Sequence, residues 1–257
     1  MILFSKLKIP FEIYIMGVII FYLILRFVLN IYNKKVIIFD FDGTLIDSVP
    51  DLTLAVNHML RALSRDPFSQ ELVHSWVGNG AQTLVKRALL GKSEVDEILD
   101  ETLFQKALDI FLNYYGKNVC IHTKLYPNVI KTLISLKDRG FKLAIVTNKP
   151  VAFVEPILQG LALDEYFEYY IGGDSLQQKK PDPEPLLHVC KKMDISVSNA
   201  VMIGDSKNDI IAASNAAMDS IGVSYGYNYG QKIDIYEPNA VVDDIYEIVE
   251  ILGYAKK

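Results

Sequence analysis

Short apolar runs alternate with longer amphipathic stretches along most of the chain. Val36-Ile37-Ile38-Phe39 is a β-branched run with no polar interruption, the pattern of a strand buried on both faces. Residues from about Ser48 to Tyr115 then show helical periodicity, with breaks at Asp66-Pro67, Gly78-Asn79-Gly80 and Gly91 and no strand between them. From Tyr126 the pattern alternates. Val129 to Lys137 reads as a helix stopped by Gly140, Lys142 to Val146 as a strand and Pro150 to Leu161 as a helix. Tyr169 to Ile171 reads as a strand, Pro183 to Met193 as a helix, Ala200 to Ile203 as a strand and Ser206 to Asn215 as a helix. Ser220 to Ser224 and Val241-Val242 close the series of strands before a terminal helix. Strands separated by helices predict an α/β fold with a doubly wound, mainly parallel sheet covered on both faces. The helical block is an insertion, so the core is expected at 36–47 and 123–257 and a helical domain at 48–122.

The first 35 residues break this pattern. Lys6, Lys8, Arg26, Lys34 and Lys35 face Glu12 alone, so the leader carries about +4 and the remainder about −9. Nothing from Ile13 to Leu25 is charged, and residues 13–32 are about long enough to cross a bilayer as a helix. No small-residue cleavage site follows, which counts against a signal peptide. Two readings stand: a membrane anchor, or a start site placed too early, with the native chain beginning near Val28 or Leu29. The second leaves a cytoplasmic protein; the first tethers it to the membrane.

Composition narrows the function. At 51% hydrophobic and 22% charged, the chain is not a disordered polyelectrolyte. A net charge of −5 argues against nucleic acid as a partner, since a phosphate-binding surface needs excess cations. Cys120 and Cys190 make no disulfide framework, and His58, His74, His122 and His188 offer no metal-binding pair at helical spacing. The chemistry falls to carboxylates, lysines and hydroxyls.

Those groups sit where strands end. Asp40-Phe41-Asp42-Gly43-Thr44 follows the first strand. Ionised carboxylates are too costly to bury in a dry strand, so the sheet ends here, at the carboxyl edge where open α/β folds bind ligands. Asp40 and Asp42 start on one side of the chain, and their mutual repulsion favours a bound cation. Thr147-Asn148-Lys149 follows a second strand, although a threonine there is also an ordinary helix cap. Lys180, before Pro181, offers a cation to an anion, or is a solvated loop charge. Gly204-Asp205-Ser206-Lys207-Asn208-Asp209 follows another strand. Ser206 and Asp209 have capping-box spacing, which leaves Asp205 without a structural explanation. Oxygen-rich carboxylates select a hard cation such as Mg²⁺, and Thr147 and Lys180 add donors for an anion. Carboxylates, Mg²⁺ and an anion clamp are the parts of phosphoryl transfer.

With these motifs the sequence resembles the haloacid dehalogenase superfamily of phosphatases, and within it the bacterial phosphoglycolate phosphatase family. The likeness runs from Val36 to about Leu252. It includes Trp76-Val77-Gly78-Asn79-Gly80, Ile171-Gly172-Gly173-Asp174 and Tyr225-Gly226-Tyr227-Asn228-Tyr229-Gly230. The resemblance implies a Rossmann-like core with a mobile helical cap. It implies Asp40 as nucleophile and Asp42 as general acid and base. It implies Mg²⁺ on the Asp40 carboxylate, the Asp42 main-chain carbonyl and Asp205. Thr147, Lys180 and main-chain N–H groups near Asn148 would bind the phosphoryl oxygens, and Asp209 would orient Lys180 or a metal-bound water. The implied reaction is hydrolysis of 2-phosphoglycolate, a small phosphorylated metabolite. A phosphatase for a sugar phosphate, nucleotide or pyrophosphate, a sugar-phosphate mutase, and a membrane-tethered binding protein are the alternatives. Trp76 reads more readily as a core aromatic than as a substrate contact, and Tyr225–Gly230 also reads as an ordinary glycine-rich surface loop.

Overall fold

The structure, a computed structural model, describes residues 33–253 and Ala255. The expected membrane segment at 13–32 lies outside the described residues. Among those described, no helix is long and apolar enough to cross a membrane. Lys34, counted above with the leader, belongs to the fold. It is buried, and its Nζ donates to Ser198 O at 2.8 Å and pairs with the Asp219 carboxylate.

Strand β1 (Val36–Phe39) is completely buried. Ile37 and Phe39 pack into one apolar cluster, Val36 and Ile38 into another, because successive side chains leave opposite faces of a strand. Two core layers therefore flank the sheet. A short antiparallel ladder then joins β2 (Ile46–Asp47) to β3 (Lys124–Leu125). Between these two strands lie α1 (Val49–Ala62), α2 (Gln70–His74), α3 (Ala81–Leu90) and α4 (Glu101–Lys117). The expected breaks at Asp66-Pro67, Gly78–Gly80 and Gly91 all fall between these helices. The β2–β3 ladder was not foreseen, since two residues per strand leave no periodicity to read.

The rest of the chain winds β4 (Lys142–Val146), β5 (Tyr169–Ile171), β6 (Ala200–Gly204), β7 (Asp219–Val223) and β8 (Ala240–Val242) against α5 (Val129–Asp138), α6 (Val154–Gly160), α7 (Glu184–Lys192), α8 (Lys207–Asn215) and α9 (Ile248–Leu252). The six-stranded sheet has the order β5-β4-β1-β6-β7-β8, and every neighbouring pair is parallel. One difference from the expected elements is local. The helix read from Pro150 begins as a 3₁₀ turn at Val151–Phe153, and α6 opens only at Val154. Pro156 then falls in the first turn of α6, where its missing N–H leaves no helical bond unmade.

The connection returning from α4 to β3 is stapled to α1 by one buried carboxylate. Asp51 accepts the N–H groups of Ile121 and His122 at 3.0 Å and of Thr123 at 2.8 Å, and the Thr123 hydroxyl at 2.7 Å.

Candidate active site

Parallel strands bring their carboxyl ends to one edge, and four such ends meet here. Asp40 follows β1, Thr147 and Asn148 follow β4, Lys180 lies in the loop after β5, and Asp205 follows β6. The central pair is Asp40 and Lys180. Asp40 Oδ1 accepts the Phe41 N–H at 2.7 Å and lies 2.9 Å from Lys180 Nζ. Both contacts fall on Oδ1, which leaves Oδ2 with lone pairs to spare. Lys180 Nζ also donates to Val146 O at 2.6 Å and Asp209 Oδ1 at 2.7 Å. Its three protons are thus all engaged, so a fourth acceptor has to displace one of these partners.

Asp205 is held from three sides. Its Oδ1 accepts the Thr44 hydroxyl at 2.7 Å and its Oδ2 the Tyr227 N–H at 2.6 Å. A Cβ on either Gly43 or Gly226 would overlap the carboxylate, and Gly43 has φ +93°. Those two glycines let the main chain close on Asp205. Asp209 completes the expected capping box: its Oδ2 accepts the Ser206 N–H at 2.9 Å and hydroxyl at 2.8 Å.

Carboxylate oxygens of Asp40, Asp205 and Asp209, all buried, lie within 4.8 Å of one another. With Lys180 among them, the cluster carries a net −2 when all four groups are ionised, the charge that one divalent cation cancels. Burial pushes the Asp40 carboxyl up to about 7; Lys180 opposes the rise and Asp209 adds to it. Burial, with the charges of Asp209 and Asp40, also raises Asp205 well above the ordinary carboxylate range. Burial acts against the Lys180 charge, yet Asp209 and Asp40 outweigh it and keep the ammonium protonated. Asp209 is paired with the Lys180 ammonium and doubly bonded by Ser206, whereas Asp205 meets only neutral donors and Asp40 uses one oxygen. Asp40 with Asp205 is the pair of this cluster that best fits a hard cation.

Asp42 is separate from that cluster. Its Oδ1 lies 2.8 Å from Lys149 Nζ and accepts the Ser48 hydroxyl at 2.5 Å. Lys149 also donates to the Tyr115 hydroxyl at 2.8 Å. Lys149, Tyr115, Ser48, Thr44 and Tyr227 were not among the expected site residues. Lys149 stood in a noted motif, next to Asn148. Tyr115 carried no signal, because a buried tyrosine on an amphipathic helix reads as core.

Asp40, Asp42, Thr147 and Asn148 share one cavity with Gly78 and Gly80 from the helical segment. It offers about 40 Å³ to water-sized centres, room for a few waters. Thr147 Oγ1 accepts the Lys149 N–H at 3.2 Å. Asn148 Nδ2 donates to Gly78 O and Lys180 O, both at 3.0 Å, and its buried Oδ1 has no partner among the described residues. Trp76 is core: it is 1% exposed and meets Phe68 edge-on at 5.1 Å. The 225–230 loop is more than a surface turn, since it supplies the Tyr227 N–H to Asp205 and the Tyr229 hydroxyl to Asn79 Oδ1 at 2.5 Å.

A parallel sheet whose carboxyl edge gathers acids, a lysine and a hydroxyl defines a class, and comparison with known proteins agrees. Residues 37–223 match the haloacid dehalogenase-like hydrolases, and the chain belongs to that family. Among its relatives, the phosphoglycolate phosphatase of Colwellia psychrerythraea is 50% identical over 221 residues, 86% of this chain and 98% of the relative. That of Psychrobacter arcticus is 52% identical over 222 residues, 86% of this chain and 96% of the relative. A crystal structure of a predicted phosphoglycolate phosphatase from Haemophilus somnus superimposes with a TM-score of 0.80 at 41% identity, covering 85% of this chain and 97% of the other.

Proposed function

We propose that this protein hydrolyses 2-phosphoglycolate to glycolate and inorganic phosphate through an aspartyl-phosphate on Asp40. The observation that carries the reading is the state of Asp40: a buried carboxylate, one oxygen tied to Lys180 and a main-chain N–H, the other free beside a small cavity. The names of the relatives at 50% and 52% identity support the substrate.

Asp40 Oδ2 attacks phosphorus, an O–P bond forms, and the ester O–P bond breaks. Asp42 gives its proton to the departing alkoxide. It then takes a proton from the water that attacks the phosphorus of the aspartyl-phosphate, which frees the Asp40 carboxylate and inorganic phosphate. Ser48 and Lys149 hold Asp42 Oδ1, so the proton travels on Oδ2. Thr147 and the main chain at Asn148 bind phosphoryl oxygens, Lys180 aligns Asp40, and Asp209 fixes Lys180. Asp40 and Asp205, with the Asp42 main-chain carbonyl, would hold Mg²⁺, which would supply positive charge against the phosphoryl oxygens. Helices α1 to α4 act as a cap. The β2–β3 ladder joins this cap to the core, and closure of the cap over the cavity would exclude water.

The test is phosphate release from purified protein with Mg²⁺ on phosphoglycolate, sugar phosphates and nucleotides in parallel. The highest kcat/KM is expected for phosphoglycolate. A higher value for a sugar phosphate or nucleotide overturns the substrate, and no Mg²⁺-dependent release from any ester overturns the phosphatase.

A further inference from the structure

Both lysines at the reacting centre are already paired, Lys149 with Asp42 and Lys180 with Asp40 and Asp209. A second negative group on the substrate, at the end away from phosphorus, meets no free cation there. Three others gather where the helical segment meets the core, and a fourth, Lys86, lies behind them with its Nζ 4.8 Å from the centre of the Phe104 ring and its charge felt by Lys179. Lys86 and Arg87 come from α3, Lys179 from the loop before α7, and Lys207 from the start of α8. The Arg87 guanidinium lies 5.5 Å, and Lys207 Nζ 5.1 Å, from the centre of the Tyr229 ring. Lys179 Nζ donates to Asn79 O at 2.7 Å, and the Tyr229 hydroxyl reaches the side chain of the same asparagine.

All four cations are half-buried, and none forms an ion pair among the described residues. They also feel one another: burial, then the charges of Lys86 and Arg87, hold the Lys179 ammonium below the ordinary lysine range. Like charges gathered without counter-ions, in a chain of net charge −5, repel one another unless an anion joins them. An anionic substrate entering the cavity would supply that anion. Gly78 and Gly80 line the cavity, and Lys179 Nζ is 3.6 Å from the point a Cβ on Gly80 would occupy. That ammonium thus lies beside a glycine that lines the cavity.

We infer that Lys86, Arg87, Lys179 and Lys207 form a cationic collar at the seam between the helical segment and the core. The collar selects phosphate esters that carry a second negative group, a carboxylate, over neutral esters of the same size. It acts through its field across the glycine wall. The inference rests on the phosphatase reading above and names the device behind its substrate preference.

Two esters of equal length separate the possibilities: 2-phosphoglycolate and 2-hydroxyethyl phosphate. The readout is the ratio of their kcat/KM values in the wild type and in Lys179→Gln, Lys86→Gln and Lys179→Arg. Each glutamine variant is expected to lower the ratio about five- to tenfold, mostly through KM for phosphoglycolate. Lys179→Arg is expected to keep the ratio, and added KCl to lower it in the wild type. Lys86 sits on a helix flank, so its variant reports even where Lys179→Gln misfolds. A ratio unchanged in the glutamine variants, equal loss on both esters, or a wild type without preference overturns the collar. Hydrolysis of neither ester by the wild type instead overturns phosphoglycolate as the substrate, the reading on which the collar rests, which leaves the two failures distinct.

Discussion

Asp40 combines two demands that conflict in an ordinary protein interior. It is buried, and it has to be ionised to attack. Lys180 and the Phe41 N–H favour the ionised form, while burial and the neighbouring Asp209 oppose it. Asp40→Asn removes the nucleophilic oxygen but keeps the shape. Its turnover is expected to fall by roughly 10³-fold or more, measured as phosphate release. The same substitution is expected to raise the melting temperature of the metal-free protein near pH 8, because it deletes a buried charge. A second test concerns Asp205. Gly43→Ala puts a methyl group where the carboxylate sits, at a φ of +93° that alanine resists. Mg²⁺ affinity is expected to drop about tenfold or more by calorimetric titration, in line with the loss of groups that orient a metal ligand.

Helix α1 begins two residues after β2, so its position follows the chain at the catalytic edge. The Asp51 staple sets how the helical segment returns: one carboxylate takes three consecutive main-chain N–H groups and a hydroxyl. Asp51→Ala leaves those buried donors without acceptors. It is expected to destabilise the protein by about 2–4 kcal/mol in urea denaturation, more than an exposed ion pair contributes. A loss under about 0.5 kcal/mol would mean that water replaces the carboxylate and that the connection is not held as described.

The buried charges also set how the protein as a whole responds to pH. Asp40 titrates at about 7 in the folded metal-free protein against 3.8 in an exposed chain, and Asp205 is shifted in the same direction. Between these values the folded state holds protons that the unfolded state has lost, so stability falls as pH rises from about 4 to 7. The raised Lys180 contributes stability that is lost only in strongly alkaline solution, outside this window. Mg²⁺ held as proposed would engage the ionised carboxylates, so its stabilising effect is expected to grow as pH rises through the same interval. The rise in melting temperature on adding Mg²⁺ is expected to be larger at pH 8 than at pH 5.5. The reverse order would show that the cation does not bind through Asp40 and Asp205.

Much of this was legible in the linear chain because it depends on periodicity and chain direction. Apolar runs that alternate with amphipathic stretches specify a parallel sheet, and a parallel sheet presents all its carboxyl ends at one edge. Asp40, Thr147, Lys180 and Asp205 were therefore readable as one site from the strands that each follows. Partners contributed by distant segments were not readable. Nothing local to Tyr115 indicates that it meets Lys149, or that Tyr227 donates its N–H to Asp205 across 22 positions. The role of Lys180 as the bond-filled holder of Asp40, the clasp of two glycines on Asp205 and the cations collected around Tyr229 arise only when separate loops are folded together. Local pattern encodes where a strand ends; the distances between those ends are fixed by packing across the whole core.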